Sequence, residues 1–198
     1  MTVRVLLLAA GQSARMRGAD KLLMEVDGQP CVRILALRAR AAGLPVRVTV
    51  PALDHPRAMA LIDLDVELVA VPDAALGMGH SIAAGVASLP RDTSAVMIVP
   101  ADMPDLRRSD FAALAQAHTE HPKAVLRARA ATGHYGHPVV FPADLFDDLL
   151  HLSGDRGAAS VVQAQQGRCI YVDLPGQRAT TDLDTPEDWA NWQKSQQP

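Results

Sequence analysis

The sequence predicts an α/β sandwich around a mainly parallel sheet, and two observations carry that expectation. Short apolar stretches of strand length, at residues 3–8, 46–50, 66–71 and 95–99, alternate with stretches patterned as helices. Several of these stretches are apolar on successive residues, as strands covered on both faces are; residues 95–99 are apolar throughout and read as a central strand.

The elements follow in order. Residues 3–8 form the first strand. Residues 31–42 place Val32, Leu35 and Ala39 on one face and most of the arginines off it, a helix ended by Gly43 with Pro45 just beyond. A strand at 46–50, a short helix at 55–64 and a strand at 66–71 come next. A turn and a loop at 77–81 lead into a small-residue helix at about 82–89. After strand 95–99, a helix at 106–118 takes Ser109 or Asp110 as its cap. Short strands at 124–128 and 139–141 flank the loop 133–138. Helices at 142–150 and from 154–157 to about 166, a strand at 169–174 and a helix at 185–193 complete the chain. Pro186 stands in the first turn of that last helix. The tail 195–198 is expected to fray.

The 198 residues are 48% hydrophobic, enough to bury one full core as a single domain over residues 1–198. A net charge of -3 gives no global attraction to nucleic acid or an anionic membrane, so any phosphate binding must be local. Two cysteines, Cys31 and Cys169, are too few for a disulfide framework and read as small core residues. No signal peptide is visible, because the first strand is expected to begin almost at Met1, and no stretch approaches the roughly 18 apolar residues of a membrane span. A cytoplasmic location is the expectation.

Residues 3–21, VRVLLLAAGQSARMRGADK, carry the main chemical signal. A buried strand runs into Ala9, Ala10 and Gly11, whose small side chains admit a ligand close to the backbone; Gly11 is expected to supply a conformation closed to other residues. Arg15, Arg17 and Lys21 follow. Free backbone donors and nearby cations after a first strand suit a polyphosphate. Met16 and Arg17 stand where a Walker loop needs Gly-Lys, and Ser13 and Met16 where a dinucleotide fingerprint needs glycines, so neither motif is present. Solvated loop cations are the competing reading.

Asp102 follows the strand 95–99, where open α/β sheets bind ligands, on the sheet edge that also carries residues 11–21. A carboxylate there is a natural magnesium ligand beside a triphosphate; capping a turn is its plain structural alternative. Asp182 and Asp184 lie before Thr185-Pro186, a good helix start that accounts for much of that segment without function. His134 and His137 lack the partners of a known zinc spacing and suit contact with an anionic substrate better.

The motif LAAGQSARMRGADKLL, followed in order by ADMP, GHPVVF, GDRGA and DLDTPEDW, resembles the MobA-like nucleotidyltransferase family. Within it the nearest likeness is to the molybdenum cofactor cytidylyltransferases, and it spans residues 3–189. The resemblance implies a Rossmann-like three-layer sandwich of the nucleotide-diphospho-sugar transferase type. It further implies transfer of a nucleoside monophosphate from an NTP to a phosphorylated acceptor, with Mg2+ and release of pyrophosphate. By position, Leu8, Ala9, Ala10 and Gly11 would form the nucleotide-binding turn, and Arg15 and Lys21 would hold the triphosphate. Gly79 and Ser81 would face the base and ribose, and Asp102 would bind magnesium, with Asp184 as a second ligand. His137, Pro138 and Asp155 would line the acceptor side, with Gly136 beside them. Arg15, Lys21 and Asp102 form the expected catalytic set.

Relatives that use GTP usually carry two glycines where this chain has Ala10-Gly11, so CTP is the expected nucleotide and a molybdopterin-type phosphate the expected acceptor. A molybdoenzyme or cofactor-insertion chaperone would be the downstream partner. Arg17 departs from the family, which has glycine there. Two other readings stay open: a guanylyl- or cytidylyltransferase acting on a sugar phosphate or methylerythritol phosphate, and a non-catalytic nucleotide-binding or cofactor-chaperone protein.

Overall fold

The computed structural model describes residues 2–196. The chain runs β1 (Thr2–Leu8), a hairpin of β2 (Glu25–Val26) and β3 (Gln29–Pro30), α1 (Cys31–Ala41), β4 (Val46–Val50), α2 (Pro56–Met59) and β5 (Glu67–Ala70). Then come α3 (Met78–Ala87), β6 (Thr93–Pro100), α4 (Arg108–Glu120), β7 (Val125–Ala130) and β8 (Tyr135–Pro142). The last elements are α5 (Phe146–Leu150), α6 (Ala159–Ala164), β9 (Cys169–Leu174) and α7 (Pro186–Ser195). Seven strands form one sheet in the order β5-β4-β1-β6-β8-β7-β9. Only β8 runs against its neighbours; β5, β4, β1 and β6 pair in parallel, as do β7 and β9.

Two separate apolar clusters cover the two faces. Val5 and Leu7 of β1 and Met97 and Val99 of β6 pack with Val32 and Leu35 of α1, Phe111 and Leu114 of α4 and Trp189 of α7. The intervening residues, Leu6 of β1 and Val96 and Ile98 of β6, pack on the other face with Ile82 and Val86 of α3, Leu149 of α5 and Val161 of α6. Successive side chains of a strand point to opposite faces, so continuous apolarity gives a sheet with helices on both sides. Each such side chain contributes about 1.5–3 kcal/mol on burial.

From β1 the chain moves outward through β4 to β5, then returns to add β6 on the other side of β1. Such a reversal opens a crevice at the carboxyl ends of the two strands. Backbone bonds hold those ends together: Ala9 N–H donates to Thr49 O at 3.0 Å and Ala101 N–H to Leu8 O at 3.1 Å.

Several boundaries differ from expectation, each for a local reason. The stretch 77–81 is not a loop, because α3 already starts at Met78. A Cβ on Gly79 would lie 2.7 Å from Ser153 N, so this glycine serves close packing rather than a turn. Residues 135–138 belong to β8 rather than to a loop, drawn in by pairing with β7. Residues 60–64 form turns beyond a four-residue α2. Asp110 sits three residues inside α4 and accepts from Arg107 N–H at 2.8 Å. The β2–β3 hairpin has no counterpart in the sequence reading; its Asp27-Gly28 turn, at φ 50° and 75°, is a favoured two-residue hairpin turn. Of the tail expected to fray, Ser195 ends α7, and residues 197–198 lie outside the described residues. Among the described residues no helix is long and apolar enough to cross a membrane.

Candidate active site

The turn after β1 is fixed from below by a residue the sequence reading missed. Arg57, at the start of α2, is 2% exposed. Its guanidinium donates to Ala9 O at 2.7 Å, Gly11 O at 2.6 Å, Ser13 Oγ at 2.9 Å and Asp20 Oδ2 at 2.7 Å. Asp20 also accepts from Leu22 N–H at 3.0 Å and caps the short helical turn that carries Lys21. One buried guanidinium thus ties both ends of the loop 9–20, satisfying carbonyls that would otherwise face inward without donors. A lone arginine in a four-residue helix leaves no periodic signal.

Gly11 does not use a left-handed backbone. That conformation falls on Ser13 and Arg17, both at φ 52°. A glycine would take this conformation freely at position 17, whereas a left-handed residue with a Cβ costs about 1–2 kcal/mol. The Arg17 side chain is 74% exposed and pairs with Glu187 at 2.8 Å, away from the inner face of the loop.

Asp102 lies just past the end of β6, and Lys21 Nζ donates to its Oδ2. The same ammonium donates to Asp184 Oδ1 at 2.7 Å, and Arg15 pairs with Asp184 Oδ2 at 2.9 Å. Asp182 and Asp184 arrive there because residues 179–184 run tightly against β8. A Cβ on Gly136 would lie 1.7 Å from Ala179 O, so only glycine permits the approach. His137 N–H donates to Ala179 O at 2.8 Å, and Leu183 N–H to Asp102 O at 3.1 Å. Burial would lower the Lys21 pKa, but Asp102 and Asp184 overcome it and raise the value above the ordinary lysine range. Asp182 is raised by burial and by the neighbouring charges of Asp102 and Asp184.

Two cavities meet at this ion pair. One, of about 330 Å³, is lined by Leu8, Ala10, Gly11, Ser81, Asp102 and Asp155, among others. The second, of about 440 Å³, is lined by Arg15, Asp102, Arg127, His137, Asp182 and Asp184, among others. Lys21, Met78, Pro100 and Asp102 belong to both walls. Arg15 also lines a smaller recess of about 250 Å³ with Gly11, Gln12, Ser13 and Lys21.

A family profile described as the MobA-like NTP transferase domain matches residues 5–169. The chain belongs to that family. Among curated relatives, the bifunctional protein GlmU of Geobacter sulfurreducens is 32% identical over 137 residues, 66% of this chain and 29% of that protein. The chain therefore spans under a third of the length of the GlmU relatives it matches. The crystal structure of Rv0371c from Mycobacterium tuberculosis superposes with a TM-score of 0.81 at 23% identity, covering 98% of this chain and 99% of that one. The manganese complex of Rv0371c gives 0.81 at 21% identity, covering 98% and 100%. CMP:2-keto-3-deoxy-manno-octonic acid synthetase complexed with CTP gives 0.75 at 13% identity, covering 98% of each chain. These structures share the fold: a mainly parallel central sheet with helices on both sides.

Within this family member, the sequence-predicted residues fall in three places. Lys21, Asp102, Asp184 and Arg15 converge at the meeting of the cavities. Leu8, Ala10, Gly11 and Ser81 line the 330 Å³ cavity, and Ala9 is buried behind the turn. Asp155, expected on the acceptor side, lines this cavity rather than the one around His137, because the 154–157 loop packs against Gly77. His137 and Gly136 line the 440 Å³ cavity. Pro138 is buried in β8, and neither cavity's lining includes it or Gly79.

Asp102 fits a divalent cation in one specific respect, whereas both oxygens of Asp184 are engaged, by Lys21 and Arg15. Asp102 Oδ1 is buried and has no hydrogen-bond partner, although Oδ2 is engaged by Lys21. Among the described residues no three His, Cys, Asp or Glu side chains converge on a preformed metal cage. A magnesium ion here would depend on one or two carboxylates with phosphate oxygens and water, the arrangement that cation prefers.

Proposed function

We propose that this protein is a cytidylyltransferase that moves CMP from CTP to a phosphorylated pterin-type acceptor of the molybdenum cofactor kind, releasing pyrophosphate. The observation that carries the reading is the pair of cavities joined at Lys21 and Asp102, which offers one site for a nucleotide and one for its acceptor. Order and identity of the sequence motifs support the molybdenum cofactor branch. Ala10 supports CTP, since its methyl group takes space under the base that a second glycine would leave open.

The nucleotide lies along Leu8–Gly11, with its phosphates toward Arg15 and Lys21. An acceptor phosphate oxygen attacks the α-phosphorus in line; the new P–O bond forms as the bond to the pyrophosphate oxygen breaks. A phosphate monoester is already ionised near neutral pH, so no strong general base is needed. The protein positions the two substrates and stabilises charge. Arg15 and Lys21 offset the charge that grows on pyrophosphate. Asp102 and Asp184 would hold Mg2+, which supplies further charge neutralisation at the phosphates. A molybdoenzyme or its cofactor-insertion chaperone in the cytoplasm would receive the product.

The test measures pyrophosphate release with CTP, GTP, ATP and UTP, each with magnesium and with molybdopterin, a sugar phosphate or methylerythritol phosphate. Turnover should be fastest with CTP and molybdopterin and should stop on addition of EDTA. A preference for another pair reassigns the substrates. Nucleotide binding with no pyrophosphate release under any pair overturns the transferase reading.

A further inference from the structure

Lys21 and Asp102 stand 81 residues apart in the chain, yet one helix lies behind both. Val32 and Leu35 of α1 share an apolar cluster with Leu22, Ala101 and Met103, the immediate neighbours of the two site residues. Beside that cluster α1 carries a charged side chain for which the chemistry has no use. Arg38 is 9% exposed. Its Nη1 donates to Pro104 O and Leu106 O, each at 2.7 Å, and its Nη2 to Asp27 Oδ2 at 2.7 Å. Pro104 and Leu106 belong to the loop that carries Asp102 from β6 towards α4. Asp27 opens the turn of the β2–β3 hairpin, which continues from the short helical turn carrying Lys21. One guanidinium thus joins the two segments.

Cys31 makes the same join from two helical turns earlier on the same face of α1. Its N–H donates to Met24 O at 2.9 Å and its thiol to Ala101 O at 3.3 Å. From the other side, Leu183 N–H donates to Asp102 O at 3.1 Å and Trp192 Nε1 to Asp105 Oδ1 at 2.8 Å. The backbone on either side of Asp102 is therefore held by fixed donors, and those from α1 also reach the Lys21 segment. A buried guanidinium is a costly way to fill space, since an apolar side chain of similar volume would pack there without losing a charge's hydration. What an apolar side chain could not do is hold three acceptors on two segments in one plane.

We infer that Arg38, assisted by Cys31, is a positioning residue that sets Asp102 against Lys21 where the two cavities meet. It thereby fixes where a divalent cation and a triphosphate lie relative to each other. The inference rests on the transferase reading and adds to it a residue that lines neither cavity. Misplacement by about 1 Å, caused far from the chemistry, can cost about 100-fold in rate.

The test combines steady-state kinetics of pyrophosphate release, the thermal midpoint, and Mn2+ binding in the presence of CDP, read from the paramagnetic resonance of free Mn2+. Arg38→Met strands no buried charge, because Asp27 is exposed and keeps Arg107 at 3.2 Å. It should lower kcat/KM by about 10-fold or more, with most of the loss in kcat, and weaken Mn2+ binding by about 10-fold. Arg38→Lys should recover part of both, since one ammonium reaches only some of the three acceptors. Cys31→Ala should move both in the same direction by less. Leu114→Ala opens a cavity in the same apolar cluster. It should lower the thermal midpoint at least as far and leave kcat and Mn2+ affinity within about 2-fold of wild type. Kinetics and Mn2+ affinity that follow the thermal midpoint alike in all variants overturn the inference, as does a wild-type kcat in Arg38→Met. If Arg38→Met does not fold, Arg38→Lys and Cys31→Ala compared with Leu114→Ala decide it by the same criteria. If the wild type releases no pyrophosphate from any substrate pair, the transferase reading falls and Mn2+ binding alone decides the positioning. Weakened affinity in the Arg38 variants then sustains it, and unchanged affinity overturns it.

Discussion

Lys21 bridges Asp102 and Asp184, and removing it leaves two carboxylates at close quarters with no cation between them. Lys21→Ala and Asp102→Ala should each lower pyrophosphate release by about 100-fold or more, in line with losing one charged group at a phosphoryl-transfer centre. Turnover near wild type in either variant would remove that residue from the proposed machinery. The Lys21 pKa is raised in the folded chain, so the ion pair's stabilisation is fully present below the ordinary lysine value and is lost only as pH rises past the folded value. Arg57 acts differently, through the loop rather than the chemistry. Arg57→Ala strips donors from three backbone or hydroxyl oxygens and leaves Asp20 without its cationic partner, which should cost about 3 kcal/mol in urea unfolding. Arg57→Lys should restore little of it, because one ammonium cannot reach four acceptors in a fork.

At the scale of elements, the acidic corner depends on how closely residues 179–184 approach β8. Gly136→Ala places a Cβ 1.7 Å from Ala179 O, a backbone atom that cannot rotate away. The segment must move, and with it Asp182 and Asp184, which line the 440 Å³ cavity beside Asp102. Gly136→Ala should therefore lower both the thermal midpoint and pyrophosphate release, and Gly167→Ala, where a Cβ meets nothing within 4 Å, should leave both close to wild type. Equal behaviour of the two variants would show that the approach is not tight in solution. The start of α3 follows the same logic: Gly77, at φ 120°, and Gly79 let the helix N-terminus sit against residues 153–155.

Across the whole molecule, charge is distributed so that acid should loosen the fold before base does. His118 is 1% exposed on α4, with neither ring nitrogen hydrogen-bonded among the described residues, and burial lowers its pKa. His137 shifts the same way, chiefly through burial. A histidine with a depressed folded pKa binds a proton more readily when unfolded, so stability rises with pH through that window. Unfolding free energy should fall as pH drops below about 6.5, the ordinary imidazole value. His118→Leu should flatten that fall in urea melts at pH 5.5 and 7.5; an unchanged slope would assign the loss to other groups.

Strand positions 46–50 and 169–174 match β4 and β9 residue for residue: β4 was readable because both its faces are buried, whereas β9 lies at the sheet edge with Tyr171 and Asp173 exposed. The helix start at Thr185-Pro186 was readable because capping is local, and Thr185 Oγ1 does accept from Asp188 N–H at 3.2 Å. The family was legible in the motif after β1, and with it the pairing of that loop with Asp102. What the sequence could not place is whatever depends on two distant segments touching. Arg57 reaches Ala9 across 48 residues, Lys21 reaches Asp184 across 163, and Gly136 matters only because Ala179 lies against it. The sequence determined the layered α/β sandwich and the nucleotidyltransferase family, since periodicity, caps and motifs are properties of neighbouring residues. Only the tertiary structure decided that two cavities meet at Lys21 and Asp102, that Asp155 lines the first, and that Arg127 in the second has no carboxylate partner among the described residues. Those facts are set by side chains from separate strands converging at one sheet edge, which no local pattern encodes.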